Sequence, residues 1–244
     1  MTRAHLFTYT AGAAIIAVVG LTCGDFALQW QPVPADFPAR SALAYVSNMV
    51  LLVLAGAALL PRIATPATFA LAAFYTLWAI VLHTPRIIAA PGNVSMWLGL
   101  AETSALACGG WLAWLNRSVS SQRWIRVAQL VFGACLLVFG LSHFVYAGFT
   151  ATMIPSWLPW PLFWVYLTGC GHVAAGLSLL ANIVTRLATA LLVAMLASFV
   201  LLLHLPRVIA DPRSHAEWVM LGVATALTGA AWIVRWTESR SITK

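Results

Sequence analysis

Charged residues are scarce in this sequence: Asp, Glu, Lys and Arg make up 8% of the 244 residues, while 62% are hydrophobic. Soluble domains carry roughly 25% charged residues, so this composition excludes an ordinary water-soluble fold. Apolar stretches recur at close to the roughly 20 residues that a helix needs to cross hydrocarbon. They lack the period-2 alternation of an outer-membrane barrel. The sequence therefore predicts an all-α integral membrane protein.

Paired cysteines and recognisable catalytic motifs are also absent from the sequence. The four cysteines stand singly, without a CxxC pair or a CxxCH haem-attachment signature, and are interpreted as small apolar side chains. No nucleotide-binding loop, nucleophile elbow or metalloprotease motif occurs. The net charge of +7 comes from basic residues scattered at helix ends, which argues against a nucleic-acid partner. Whether the chain catalyses a reaction is left open.

Eight apolar segments are long enough to be transmembrane helices. They lie near residues 7–24, 42–60, 66–84, 94–114, 124–148, 162–181, 185–204 and 216–236. With eight spans, successive helix ends alternate between the two sides of the membrane. Four basic residues then lie on one side: Arg40, Arg86, Arg207 and Arg213. Nine lie on the other: Arg3, Arg62, Arg117, Arg123, Arg126, Arg186, Arg235, Arg240 and Lys244. The positive-inside rule then predicts a multi-pass protein of the bacterial inner (plasma) membrane, embedded in the lipid bilayer with both termini cytoplasmic.

An internal repeat relates the two halves of the chain. The stretch LHTPRIIA at residues 82–89 returns as LHLPRVIA at residues 203–210, an offset of 204 − 83 = 121. The same offset joins Pro34 to Pro155, Pro38 to Pro159, Tyr45 to Tyr166, Trp97 to Trp218 and Trp111 to Trp232. Because four helices per copy is an even number, both copies enter the membrane in the same direction. The prediction is two parallel four-helix repeats, residues 1–115 and 124–244, joined by a cytoplasmic linker at residues 116–123.

The repeated HxPR motif is the first candidate ligand site. In each copy the histidine stands two residues before a proline, so the helix is expected to kink or end there. Histidine and arginine at a helix C-terminus favour the negative end of the helix dipole and its free carbonyls, which is a sufficient structural reason for the motif. In the alternative interpretation, His83, Arg86, His204 and Arg207 converge on the outer side and bind an anionic or quinone-like ligand.

Three further ionisable residues, Glu102, His143 and His172, lie inside predicted spans and have no ionisable counterpart in the other half. Their counterparts at the 121-residue offset are Val223, Thr22 and Leu51. Ionisable side chains are costly in hydrocarbon, so each is a functional candidate. The structural explanation is a helix-to-helix hydrogen bond, from His172 to Glu102 or to Tyr166.

A b-haem shared by His143 and His172 is the less favoured interpretation of the two histidines. Counted from the outer helix ends, they differ by roughly 7 Å in height, which is too far for one metal ion. No cysteine or carboxylate completes a zinc or copper site, so no metal site is predicted. Trp157 and Trp160 are expected in the interfacial aromatic belt, with a roof over a ligand pocket as the alternative.

Residues 139–180, FGLSHFVYAGFTATMIPSWLPWPLFWVYLTGCGHVAAGLSLL, resemble the DoxX-like family of small bacterial four-helix membrane proteins. The shared pattern is FGxxHF, then MxPxxLP, then a glycine-rich GxxE helix followed by GLxLL. This sequence departs from the pattern at His172, where the family usually has glutamate. The first half is similar only through the internal repeat. The resemblance implies a duplicated, eight-helix form of that fold and an association with quinone-linked redox systems.

The favoured function is therefore a subunit of a membrane redox system. A quinone or a similar amphipathic ligand would be held near the outer leaflet by His143, His172 and the two HxPR motifs, and membrane or periplasmic redox proteins would be the partners. The alternative is a non-enzymatic small-molecule transporter or membrane assembly scaffold, in which Glu102 and His172 contact substrate or protons.

Overall fold

The regular structure of the chain is helical throughout the residues that the computed structural model describes, 3–118 and 122–240, and no strand occurs in those ranges. Its eight long helices are α1 (Arg3–Cys23), α2 (Arg40–Ala57), α3 (Ala64–Ala89), α4 (Val94–Leu115), α5 (Gln122–Val145), α6 (Pro161–Ala181), α7 (Thr185–Ala210) and α8 (His215–Arg240). A 3-10 turn, Leu28–Trp30, follows α1, and a short helix, Ala147–Ala151, follows α5. The all-α prediction is confirmed, and the apolar segments predicted from the sequence coincide with the long helices.

Seven of the long helices, all except α4, are long and apolar enough to cross a membrane. Helix α4 has 22 residues, but Glu102, Thr103 and Ser104 near its middle make it less apolar. Burial varies strongly among the seven: 67% of the most apolar stretch of α8 is buried, against 22% in α7. Helix α8 therefore lies at the centre of the bundle, while α7 presents most of its surface outward.

The helices form a ring that is divided by a contact across its middle. Each helix packs on the next one in the chain, and α8 closes the ring against α1. In addition, α4 packs on α8 across the ring. This contact creates a first compartment, enclosed by α1, α2, α3, α4 and α8, and a second compartment, enclosed by α4, α5, α6, α7 and α8.

Glycines allow α1 and α8 to approach closely. A Cβ atom at Gly12 would collide with the backbone of Ala226, and one at Gly229 would collide with the backbone of Tyr9. Tyr9 is fully buried, and its hydroxyl donates to the Leu106 carbonyl at 2.8 Å, which links α1 to α4. Since lipid is as apolar as the side chains, membrane helices associate through this kind of close packing rather than through the hydrophobic effect.

A π-helical turn precedes the proline of each HxPR motif, at Ala79–His83 in α3 and at Phe199–His204 in α7. Proline has no N–H, and its ring clashes with the carbonyl four residues earlier. A wider turn accommodates the ring without breaking the helix. Of the two outcomes expected at the motif, a kink or an end, the end does not occur, because α3 continues to Ala89 and α7 to Ala210.

The predicted linker at residues 116–123 falls partly outside the described residues, since these omit residues 119–121. Lys244, one of the basic residues predicted to lie on the cytoplasmic side, is also outside the described residues, which end at residue 240. Helix α4 ends at Leu115, and the described part of α5 begins at Gln122.

Candidate functional site

His143 of α5 and His172 of α6 lie side by side in the second compartment. Their ring centroids are 5.0 Å apart, and the ring planes are inclined by 42°. His172 is only 2% exposed. Phe139 and Phe199 surround its ring, with centroid distances of 5.6 and 6.2 Å. The two imidazoles therefore share a largely apolar environment.

Both histidines bind a backbone carbonyl one helical turn earlier. His143 Nδ1 lies 2.8 Å from the Phe139 carbonyl oxygen, and His172 Nδ1 lies 2.9 Å from that of Thr168. Because a carbonyl oxygen only accepts, this network assigns the proton of each neutral ring to Nδ1. Each Nε2 then carries a lone pair, and neither Nε2 has a hydrogen bond within the described part of the chain. The pair presents two acceptors to a ligand.

The height difference of roughly 7 Å predicted between these histidines is wrong, because the outer ends of α5 and α6 are not level. After α5 ends at Val145, the chain forms the short helix Ala147–Ala151, which packs beside α6. The first turns of α6 therefore stand next to this short helix rather than next to α5. As a result, a residue deep in α6 meets one near the end of α5.

The spacing of the two rings does not fit a haem held between them. Metal–nitrogen bonds of about 2 Å on each side of an iron, together with the ring radii, would separate the two centroids by about 6 Å. A planar macrocycle would also have to lie between the rings. The observed 5.0 Å separation and the 42° inclination leave no such slot. The described residues also contain no group of three or more His, Cys, Asp or Glu side chains arranged to hold a metal ion.

The predicted hydrogen bond from His172 to Glu102 or Tyr166 is wrong, since His172 binds the Thr168 carbonyl instead. Tyr166 stacks on Phe144 at 6.2 Å and is partly exposed. Glu102 faces the indole of Trp30 in the first compartment. The buried Oε2 of Glu102 and Nε1 of Trp30 both lack a hydrogen bond of ordinary geometry.

His83 has a structural role in the first compartment. Its Nε2–H group donates to the Trp30 carbonyl and to Thr103 Oγ1, both at 3.2 Å. The ring lies against Gly99, where an added Cβ atom would come within 2.7 Å of the ring. His83 is thus a satisfied, buried side chain that ties α3 to α4 and to the turn after α1.

The second HxPR motif binds a carboxylate at the end of α7. Arg207 donates two hydrogen bonds to Glu217, Nε to Oε2 at 2.8 Å and Nη2 to Oε1 at 2.6 Å. His204 is half-buried, and its Nδ1 has no partner among the described residues. Since α3 packs on α2 and α4 whereas α7 packs on α6 and α8, the structure does not bring the two motifs together.

Arg86 in the first motif lacks the partner that Arg207 has in the second. The residue 121 positions before Glu217 is Met96. Arg86 is half-buried, and it makes no hydrogen bond or ion pair with the described residues. Identical motifs therefore have different electrostatic surroundings in the two halves.

The outer tryptophans lie on the surface of the bundle. Trp157 is 65% exposed and Trp160 is 76% exposed, so neither closes over the histidine pair. Exposure at this level is typical of an interfacial aromatic belt.

Phe139 and Phe199, which enclose the histidine pair, were not anticipated from the sequence. Phe139 stands four residues before His143 in the FGxxHF stretch, and this spacing places both on one helix face. That signal was available in the sequence. Phe199 comes from α7, and no local pattern relates it to either histidine.

Comparisons with known proteins bear on the second half of the chain. No curated protein and no solved structure matches the sequence. Residues 132–235, which contain the histidine pair and the Arg207–Glu217 ion pair, match the family described as "Domain of unknown function (DUF8561)". The part of the chain that carries the histidine pair is thus similar to a family whose description carries no activity.

Proposed function

We propose that this chain is a polytopic protein of the bacterial inner membrane that binds a quinone-type ligand at His143 and His172, as a DoxX-like subunit of a membrane redox system. The observation that carries the proposal is the pair of Nε2 acceptors, each oriented by an Nδ1 hydrogen bond to a carbonyl. The hydroxyl groups of a quinol are donors of the matching kind. Phe139 and Phe199 provide apolar surface for its ring.

The proposal includes eight membrane spans with both termini cytoplasmic. Helix α4 packs against α3, α5 and α8, and its 22 residues rise by about 33 Å, close to the thickness of a hydrocarbon core. This position lets Glu102 face protein rather than lipid, as intramembrane carboxylates do. The distribution of the basic residues supports the orientation.

The proposal also includes two parallel four-helix repeats. Three pairs of helices begin 121 residues apart: α2 and α6 at Arg40 and Pro161, α3 and α7 at Ala64 and Thr185, and α4 and α8 at Val94 and His215. The ring contacts support the same relation, because α1 packs on α8 as α5 packs on α4. Each repeat is thereby completed by a helix of the other.

A repeat of this kind predicts that Met96→Glu creates a new ion pair. The glutamate at position 96 should reach Arg86 as Glu217 reaches Arg207. We expect the variant to gain about 0.5–1 kcal/mol in the free energy of unfolding, since the pair is partly exposed. Denaturation in detergent measures the gain, which should disappear in the double variant Met96→Glu, Arg86→Gln. An equal gain in the double variant would contradict the repeat.

The chemical role assigned to this chain is to hold the reduced ligand and to accept its hydrogen bonds. A neutral imidazole whose proton is on Nδ1 accepts a hydrogen bond at Nε2. Removal of electrons from the quinol is assigned to a membrane or periplasmic redox partner. The proposal therefore requires the quinol to bind more tightly than the quinone, which has no hydroxyl donor.

The histidine pair predicts a ligand-specific shift in thermal stability. A short-chain quinol under anaerobic conditions should raise the melting temperature of the detergent-solubilised protein, and a ligand at a hundred times its Kd contributes about 2.7 kcal/mol. His143→Leu and His172→Leu should abolish the shift, whereas the control His215→Leu should keep it. The same quinol with both hydroxyls methylated should have no effect. Equal shifts in wild type and both variants would refute the site.

A second candidate function, a proton-coupled transporter, is favoured by Glu102. Its Oε2 is buried without a partner beside Trp30, and Trp30 borders a cavity of about 10 Å³, enough for one water. Tyr75 and Trp78 line the same cavity and also have unpaired polar atoms. Proteoliposomes with an imposed pH gradient should then take up small solutes with wild-type protein but not with Glu102→Gln. Identical uptake by both proteins would remove this candidate.

A further inference from the structure

A long groove opens on the side of the bundle between α3 and α5, with α4 as its floor. Its volume is about 740 Å³. Along α4 it extends from Leu100 to Leu115, 15 residues that rise by about 22 Å in a helix, and it continues to Ser118 in the turn that follows. Its walls include Ile80 of α3 and Val127 and Val131 of α5, all exposed apolar side chains. In a membrane this groove faces lipid along most of its length.

At the groove, α4 carries larger side chains than α8 does at the positions 121 residues later. At the 121-residue offset, Gly229 of α8 corresponds to Cys108 of α4, and Gly222 corresponds to Ala101. Gly229 lies against the backbone of Tyr9, whereas the side chain of Cys108 lines the groove. Side chains in place of glycine hold two membrane helices apart.

The two ends of the groove differ in character. The end near Ser118 is bordered by Trp114 and Trp124, and the Arg123 guanidinium lies 5.9 Å from the centroid of the Trp124 ring. Arg117 also follows α4, but it does not line the groove, and its Nη1 donates to the Ala113 carbonyl at 3.1 Å. Among the residues that the structure describes, no Asp or Glu lines the groove. An apolar channel with aromatic and cationic groups at one mouth matches a molecule with an acyl chain and an anionic head.

We infer that this groove is a binding site for an anionic phospholipid of the leaflet on the Arg123 side. One acyl chain lies along α4 between Ile80 and Val131, and the phosphate lies beside Arg123. Basic side chains at the cytoplasmic surface of a membrane attract anionic headgroups, which agrees with the cytoplasmic placement proposed for this end. The inference uses none of the residues of the histidine pair, so its test is independent of the test of the quinol site.

Native mass spectrometry of the purified protein in an equimolar mixture of phosphatidylglycerol and phosphatidylcholine tests the inference. Wild type should retain one phosphatidylglycerol in preference to phosphatidylcholine. Arg123→Gln should lower this preference about five-fold, while the control Arg62→Gln, exposed and outside the groove, should leave it unchanged. Val131→Trp fills the groove and should release both lipids, whereas Val53→Trp, a lipid-facing control on α2, should retain them.

Several outcomes would overturn the inference. Equal retention of both lipids by wild type would mean that the headgroup is not recognised. Retention by Val131→Trp and by a second groove-filling variant, Ile80→Trp, would mean that the lipid binds elsewhere. The two groove-filling variants lie on opposite walls, so a folding defect in one does not prevent the test. Circular dichroism and size-exclusion chromatography show whether each variant is folded. Displacement of the lipid by millimolar glycerol phosphate would identify a soluble phosphate ligand instead.

Discussion

The variant Gly229→Val is expected to lose the native bundle. A Cβ atom at this position would collide with the backbone of Tyr9, which cannot rotate away as a side chain can. Overpacking of a well-packed interior costs about 1–3 kcal/mol when side chains can adjust. Here α1 itself would have to move away from α8, which would also strain the Tyr9–Leu106 hydrogen bond between α1 and α4. We therefore expect a loss of about 3 kcal/mol or more.

Thermal unfolding in detergent, followed by circular dichroism, measures this loss. The matched control is Gly56→Val in α2, since a Cβ atom at Gly56 would meet nothing within 4 Å. Valine is well tolerated in a lipid-facing helix, so the control should unfold at the wild-type temperature. If both variants unfold like wild type, the close packing of α1 on α8 described here is incorrect.

The opposite result is expected for Glu102→Val, which should stabilise the protein. The Oε2 atom of Glu102 is buried and unpaired, and an unsatisfied buried polar atom costs about 1–3 kcal/mol. Valine occupies the corresponding position of the other half, Val223, where it is buried and packed in the core. Replacing the carboxylate by this residue should therefore raise the free energy of unfolding by about 1–3 kcal/mol.

Glu217→Val is the contrasting variant, because this carboxylate is paired. Its removal leaves Arg207 without its two hydrogen bonds at the membrane edge and should lower stability, by about 1 kcal/mol because the pair is partly exposed. Chemical denaturation of the two variants in the same detergent compares them directly. Destabilisation by Glu102→Val would show that this carboxylate has a partner and would weaken the transporter candidate. Stabilisation would show that Glu102 lowers the stability of the wild-type protein. A residue that lowers stability is present for another reason, which favours a functional role.

The histidine pair shows which features of a site can be predicted from the sequence. His143 and His172 stand out because ionisable residues are rare in apolar helices. Their meeting depends on the relative heights of α5 and α6, which the short helix Ala147–Ala151 changes. A prediction that assumes level helix ends overestimates the separation of the two rings in such a case. The role of His83 could not be predicted from the sequence either, because its acceptor is a backbone carbonyl 53 residues away.

The sequence by itself determined the helical membrane class and the positions of the long helices, because hydrocarbon thickness demands apolar runs of a set length and backbone hydrogen bonds must be satisfied within each run. Only the tertiary structure decided which helices touch. At the 121-residue offset, Gly229 lies against the backbone of Tyr9 in the contact of α1 with α8, whereas Cys108 has a larger side chain and lines the groove beside α4. Hydropathy does not distinguish these arrangements, since lipid-facing and protein-facing surfaces are equally apolar, and lateral packing is selected by the fit of side chains.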